Sequence, residues 1–150
     1  MKRYLIALPA LLFLIACGNN KADAPEEKQD TVAVEYSYEA TLNDSGKLEL
    51  KKVIGAPDTL TSAAMIDFLN KRYVNVQLKF ERTSGDTLYL SIPEATYLTQ
   101  QMGSTGPQLY FADIVYNLTE IPGIHYVNFD FEEGDHASPA TLNRDSFKEE

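Results

Sequence analysis

The stretch NVQLKFERTSGDTLYLSIPE, residues Asn75 to Glu94, leaves the chain little conformational choice. Val74, Val76, Leu78 and Phe80 alternate with Asn75, Gln77, Lys79 and Glu81. Beyond a Thr83-Ser84-Gly85-Asp86 turn, Leu88, Leu90 and Ile92 repeat the same period of two. Side chains of an extended chain point alternately to opposite faces, so this pattern predicts a β-hairpin with one apolar and one wet face. An isolated hairpin is marginal in water. Its apolar face therefore needs cover from elsewhere in the chain.

That cover is legible. Val32, Val34, Tyr36 and Tyr38 form a period-two strand, the turn Asn43-Asp44-Ser45-Gly46 follows, and Lys47 to Ile54 reads as its return strand. Gly55 and Pro57 break the pattern. Thr61 is placed to cap a helix running to about Arg72, with Ala64, Met65, Phe68 and Leu69 on one side and Lys71-Arg72 at its negative end. Pro93 to Gly103 reads as a short helical turn and a loop. Ser104 is expected to cap a longer helix from Thr105 to about Glu120, carrying Leu109, Ala112, Val115, Tyr116 and Leu118. Pro122-Gly123 ends it, and Ile124 to Phe131 predicts a last strand. The order is β-β-α-β-β-α-β, which predicts an α+β domain. Its mostly antiparallel sheet of about five strands would bury both helical stripes on one face. Residues 135–150 read as a polar tail.

The N-terminus points to an address. Met1-Lys2-Arg3 is a positive flank, and Tyr4 to Ala16 is an apolar run too short to cross a bilayer, which takes about 20 residues. This fits a secretory signal over residues 1–16. Leu14-Ile15-Ala16-Cys17 resembles a bacterial lipobox, and Cys17 is the only cysteine. The resemblance implies a thioether-linked diacylglycerol on Cys17 and a further acyl chain, such as palmitate, on its freed amine. Two or three acyl chains hold a soluble domain durably where one does not. Gly18, rather than Asp, after the cysteine is similar to signals sorted to an outer membrane. The segment from Cys17 to residue 31 holds no apolar residue larger than alanine between Gly18 and Asp30, as expected of an acidic tether. The net charge is -9, from 13 basic and 22 acidic residues. A nucleic-acid partner is thereby excluded, since it needs a basic face. A single cysteine also excludes a disulfide framework and a cysteine-rich zinc site.

The 75–94 hairpin, the Gly103-Ser104 helix start and FADIVYNLTEIPGIHYVNFDFEEG (Phe111 to Gly134) together resemble a GerMN domain, the sporulation and germination module. The turn Leu118-Thr119-Glu120-Ile121-Pro122-Gly123 carries much of the likeness, which spans residues 32–134. The resemblance implies an extracytoplasmic, often lipid-anchored module without known catalytic residues. Such modules take part in envelope assemblies and are similar in fold to ring-building domains.

Individual residues add little chemistry. His125 is in phase with Val127, Phe129 and Phe131, which predicts a structural histidine on the core face. The acidic stretch from Asp130 to His136 superficially suggests a calcium loop, but its glycine and the residue at position twelve, Thr141, are out of place for an EF-hand. No metal or other cofactor is implied. There is no Gly-x-Ser-x-Gly elbow, and Ser104 is better used as a cap. Asn117-Leu118-Thr119 is a formal glycosylation triplet inside a predicted helix. Tyr36 and Tyr38 share the phase of Val32 and Val34, whereas Tyr89 and Tyr126 fall on the opposite phases of their strands, which suits an exposed interaction surface. The sequence therefore favours a non-catalytic, membrane-anchored partner of an envelope protein, with self-association open to it. A small envelope hydrolase or ligand- or metal-binding lipoprotein, centred on His125 or residues 130–136, is the alternative.

Overall fold

The computed structural model describes residues 37–55 and 59–148. Along the chain run β1 (Tyr38–Leu42), β2 (Leu48–Lys52), α1 (Ser62–Arg72), β3 (Lys79–Ser84) and β4 (Thr87–Ser91). A π-helical turn (Tyr97–Gln101), α2 (Gly106–Leu118), β5 (Tyr126–Asp130), β6 (Ala140–Leu142) and a 3₁₀ turn (Arg144–Phe147) follow. The fold is α+β, as the periodicities require. Cys17, the signal and tether expected over residues 1–31, and residues 32–36 with Tyr36 lie outside the described residues.

The β3–β4 hairpin forms, closed by Gly85 and Asp86 between the paired residues Ser84 and Thr87. Gly85 has a φ of 60°, a left-handed conformation open to glycine at little cost, and it occupies the first position of the two-residue turn. The strand starts later than the alternation suggests. Val76 and Leu78 are buried but precede β3, while Val74 is 69% exposed and Phe80 48% exposed. Asn70 explains the difference. Its side chain accepts from the Leu78 N–H at 2.7 Å and donates to the Leu78 carbonyl at 2.9 Å, occupying the groups a neighbouring strand would use.

Leu88 and Leu90 of β4 and Val127 and Phe129 of β5 face inward against Met65, Ile66 and Leu69 of α1 and Tyr110, Ile114, Val115 and Leu118 of α2. Thr61 caps α1 by accepting from the Ala64 N–H. α2 departs from expectation at its start. Thr105, not Ser104, is the residue before the helix, and neither hydroxyl caps it; Pro107 occupies the first turn, where its missing N–H costs nothing.

Two larger differences concern the sheets. The expected sheet of about five strands is instead a four-stranded sheet in the order β3-β4-β5-β6 and a separate β1-β2 hairpin. β4 and β5 are parallel, with Leu90 opposite Phe129, because the connection through α2 carries the chain back across the covered face. Residues 135–148 are not a polar tail. β6 pairs antiparallel with β5, and the 3₁₀ turn is closed by reciprocal bonds between Asn143 and Ser146. Arg144 donates to Thr119 Oγ1 at 2.7 Å and to the Tyr116 carbonyl at 3.1 Å, and pairs with Glu120. Leu142 and Phe147 pack on the core. The polarity of this segment hid one arginine and two apolar residues that dock it.

Candidate functional site

Among the described residues, no helix covers the outer face of the four-stranded sheet. With Leu88, Leu90, Val127 and Phe129 inward, the pleat turns Thr87, Tyr89 and Ser91 of β4 and Tyr126, Asn128 and Asp130 of β5 outward. Tyr89 and Tyr126 therefore share one face, as their phases suggest, with Tyr126 39% exposed. On β3 the pairing skips between Phe80 and Arg82, leaving Glu81 as the extra residue of a bulge. The bulge brings Arg82 opposite Tyr89, with its guanidinium carbon 3.7 Å from the ring centroid. Glu81 turns to the same face, where its carboxylate accepts from Ser91 Oγ at 2.7 Å and pairs with Lys79 at 3.0 Å. Ser91's hydroxyl, then Lys79, hold the Glu81 carboxyl below the usual carboxylate range. A groove of about 460 Å³ runs over Tyr89 and Asn128 between Arg82 and the β6 side, with Asp130 at its edge. Asn128 donates to Thr141 Oγ1 at 2.8 Å across its floor.

His125 lies elsewhere. It is exposed rather than on the core face, because it precedes β5. Its N–H and that of Tyr126 both donate to the Asp86 carbonyl, which ties the strand start to the β3–β4 turn and leaves the imidazole outside. Asp86, Asp145 and Arg144 surround it in an open hollow of about 550 Å³. The 130–136 stretch turns over a Gly134–Ala137 bridge, with the His136 N–H donating to the Thr99 carbonyl of the π-helical turn. Among the described residues, no group of three or more His, Cys, Asp or Glu side chains is disposed to hold a metal ion.

No family model matches the chain, and neither a curated protein nor a solved structure matches it.

A second polar constellation, unforeseen in the sequence, lies under the β1–β2 hairpin. Asp113 and Asn117, four residues apart on α2, are fully buried. Asp113 accepts from the Ala40 N–H at 2.9 Å and from the Tyr73 hydroxyl at 2.5 Å, with Arg72 Nε 3.6 Å away. Asn117 accepts from the Ser37 and Tyr38 N–H groups and donates to the Tyr38 carbonyl. Side chains of a helix thus supply the hydrogen bonds that another strand would give β1. The formal glycosylation triplet contains a buried structural asparagine. Two polar residues on one side of the otherwise apolar FADIVYNL helix were the available signal.

Burial pushes the Asp113 carboxyl up, and the Tyr73 hydroxyl, the Ala40 N–H and Arg72 only partly offset it. Burial, then the neighbouring Asp113, pushes the Tyr73 hydroxyl up as well. A carboxyl whose folded pKa is raised adds stability that is complete below its unfolded pKa and is lost as pH rises through the folded value. Asp113→Asn removes that titration. Across the window between the ordinary and the raised carboxyl pKa, the stability of the variant relative to the parent is expected to rise with pH. Urea midpoints measured through that window check it, and a constant difference would refute it.

Proposed function

We propose that this chain is a lipid-anchored, extracytoplasmic and non-catalytic interaction module of a bacterial envelope, GerMN-like in kind. It would contact another envelope component through the open face of its four-stranded sheet. The observation that carries the contact surface is that face itself. Tyr89, stacked by Arg82, and the exposed Tyr126 stand on it with no covering element among the described residues. Aromatic and arginine side chains are enriched where proteins bind partners. The address rests on Leu14-Ile15-Ala16-Cys17 behind a short apolar run, and the residue after Cys17 favours an outer membrane where the cell has one. Among the described residues no helix is long and apolar enough to cross a membrane.

Two measurements test the reading. Cys17→Ala is expected to move the protein out of the detergent-extracted membrane fraction into a soluble or precursor form; unchanged fractionation would refute lipidation. A photo-crosslinking residue in place of Tyr126 should yield a discrete crosslinked species in intact cells, and the same residue in place of exposed Asp67 on α1 should not. Equal yields from both sites would remove the sheet face as the contact surface.

A further inference from the structure

We infer that the outer-face groove binds a short peptide with free termini, its carboxylate held by Arg82 and its ammonium by Asp130. This rests on the reading of that face as the contact surface, and is independent of the anchor. Among the described residues, neither the Arg82 guanidinium nor the Asp130 carboxylate has an ion-pair or hydrogen-bond partner, although both stand at the groove. The third charge there, Glu81, is occupied by Lys79 and Ser91. One unpaired cation and one unpaired anion therefore face the same space.

The bulge on β3 has a purpose in this arrangement. Without the skipped pairing, Glu81 would stand opposite Tyr89; with it, Arg82 lies over the ring. An arginine stacked on an aromatic face keeps its in-plane N–H fork free for a carboxylate, and the stacking limits the freedom it would lose on binding. Arg82 and Asp130 lie two strand spacings apart, about 10 Å, and are offset along the sheet by two residues, about 7 Å. Because the Arg82 guanidinium lies over the Tyr89 ring, one strand spacing and two residues from Asp130, the remaining gap is about 8 Å, within the span of an extended tripeptide, up to about 10 Å. Between them Asn128 and Thr141 present amide and hydroxyl groups to a peptide backbone.

Charge complementarity decides against other occupants. A neutral sugar would leave both charges unused, an anionic ligand would meet Asp130 and Glu81, and a cationic one would meet Arg82. A second copy of the chain is disfavoured by size. Four strands about 4.8 Å apart and about 16 Å long give a face of roughly 300 Å². Even doubled for surface relief, this falls short of the roughly 800 Å² per partner of a stable interface, so any folded partner, a second copy included, would need contacts beyond this face.

The test titrates full-length protein in detergent micelles with tri-alanine, followed by backbone amide NMR. Saturable shifts at Tyr89, Asn128 and Asp130 are expected. N-acetyl-tri-alanine amide, which lacks both charges, should leave them unmoved. Arg82→Gln and Asp130→Asn alter exposed residues, and each should weaken binding about tenfold or more, as expected for loss of a charged contact. No shift with tri-alanine, equal binding of the capped peptide, or unchanged affinity in both variants overturns the inference. Chitotriose moving these signals where tri-alanine does not overturns it in favour of a glycan. Crosslinking from position 126 that persists without tri-alanine binding would remove the peptide and leave the contact face standing.

Discussion

Asn117→Ala is expected to lower stability by about 3 kcal/mol and to loosen the β1–β2 hairpin ahead of the rest of the domain. Asn117 is fully buried and serves three backbone groups of another segment, the Ser37 and Tyr38 N–H groups and the Tyr38 carbonyl, with distances of 2.9, 3.1 and 2.9 Å. It also donates to the Asp113 carbonyl one turn earlier. Truncation leaves those groups without partners, and each unsatisfied buried group costs about 1–3 kcal/mol unless water reaches it. Water will reach some of them, since Tyr38 is only half-buried, and the sum is reduced accordingly. The β1–β2 hairpin is a sheet of its own, attached through α2 rather than through a continuous ladder. Hydrogen exchange should therefore show early loss of protection at Glu39 and Thr41, while β4 and β5 stay protected. Uniform loss across both sheets would mean that the hairpin and the main core unfold as one unit.

Deleting residues 139–150 is expected to have a larger effect, leaving the chain unfolded or aggregating at ordinary temperature. The deletion removes β6 and bares the main-chain groups of β5, an interior strand containing the buried Val127 and Phe129. An unpaired strand of that kind invites pairing with another chain. The deletion also removes Leu142 and Phe147 from the core margin, together with Arg144 and its contacts to Thr119, Tyr116 and Glu120 at the end of α2. Arg144 lies 5.0 Å from the Tyr38 ring and 5.2 Å from the Tyr116 ring, so it links the C-terminal segment to the first hairpin as well. Loss of several kcal/mol is a large part of the 5–15 kcal/mol that a domain of this size has. Circular dichroism melts and gel filtration of the truncated protein check it. A monomer melting within a few degrees of the parent would show that residues 139–150 contribute little. Arg144→Ala alone should give a milder loss, about 2 kcal/mol, and keep the monomer.

The elements whose apolar residues repeat within a short window were legible: the β3–β4 turn, α1 with its Thr61 cap, α2, and β5. The outward phase of Tyr89 and Tyr126 was legible for the same reason. The exposure of His125 is not legible, because a period of two says nothing about where a strand begins, and β5 begins one residue later, at Tyr126. The docking of residues 135–148 is not legible in the sequence, because a segment with only three paired residues carries almost no periodic signal. The place of Arg82 is hidden in the sequence, since an unbroken alternation along β3 puts Glu81 and not Arg82 opposite Tyr89; a one-residue bulge reverses that, and no local pattern announces it.

The sequence by itself determined the α+β class, the positions of most helices and strands, and which side of β4 faces the core. Those properties follow from side-chain direction along a single segment, which spacing alone specifies. The tertiary structure decided the parallel β4–β5 pairing, the separation of β1–β2 from the main sheet, the docking of the C-terminal segment, and the placing of Arg82 and Asp130 at one groove. Each depends on which backbone and polar groups find partners across long stretches of chain, as Ser37 and Asn117 do over 80 residues. Buried polar groups must be paired, and many partners can satisfy that need; only packing of the whole chain selects among them.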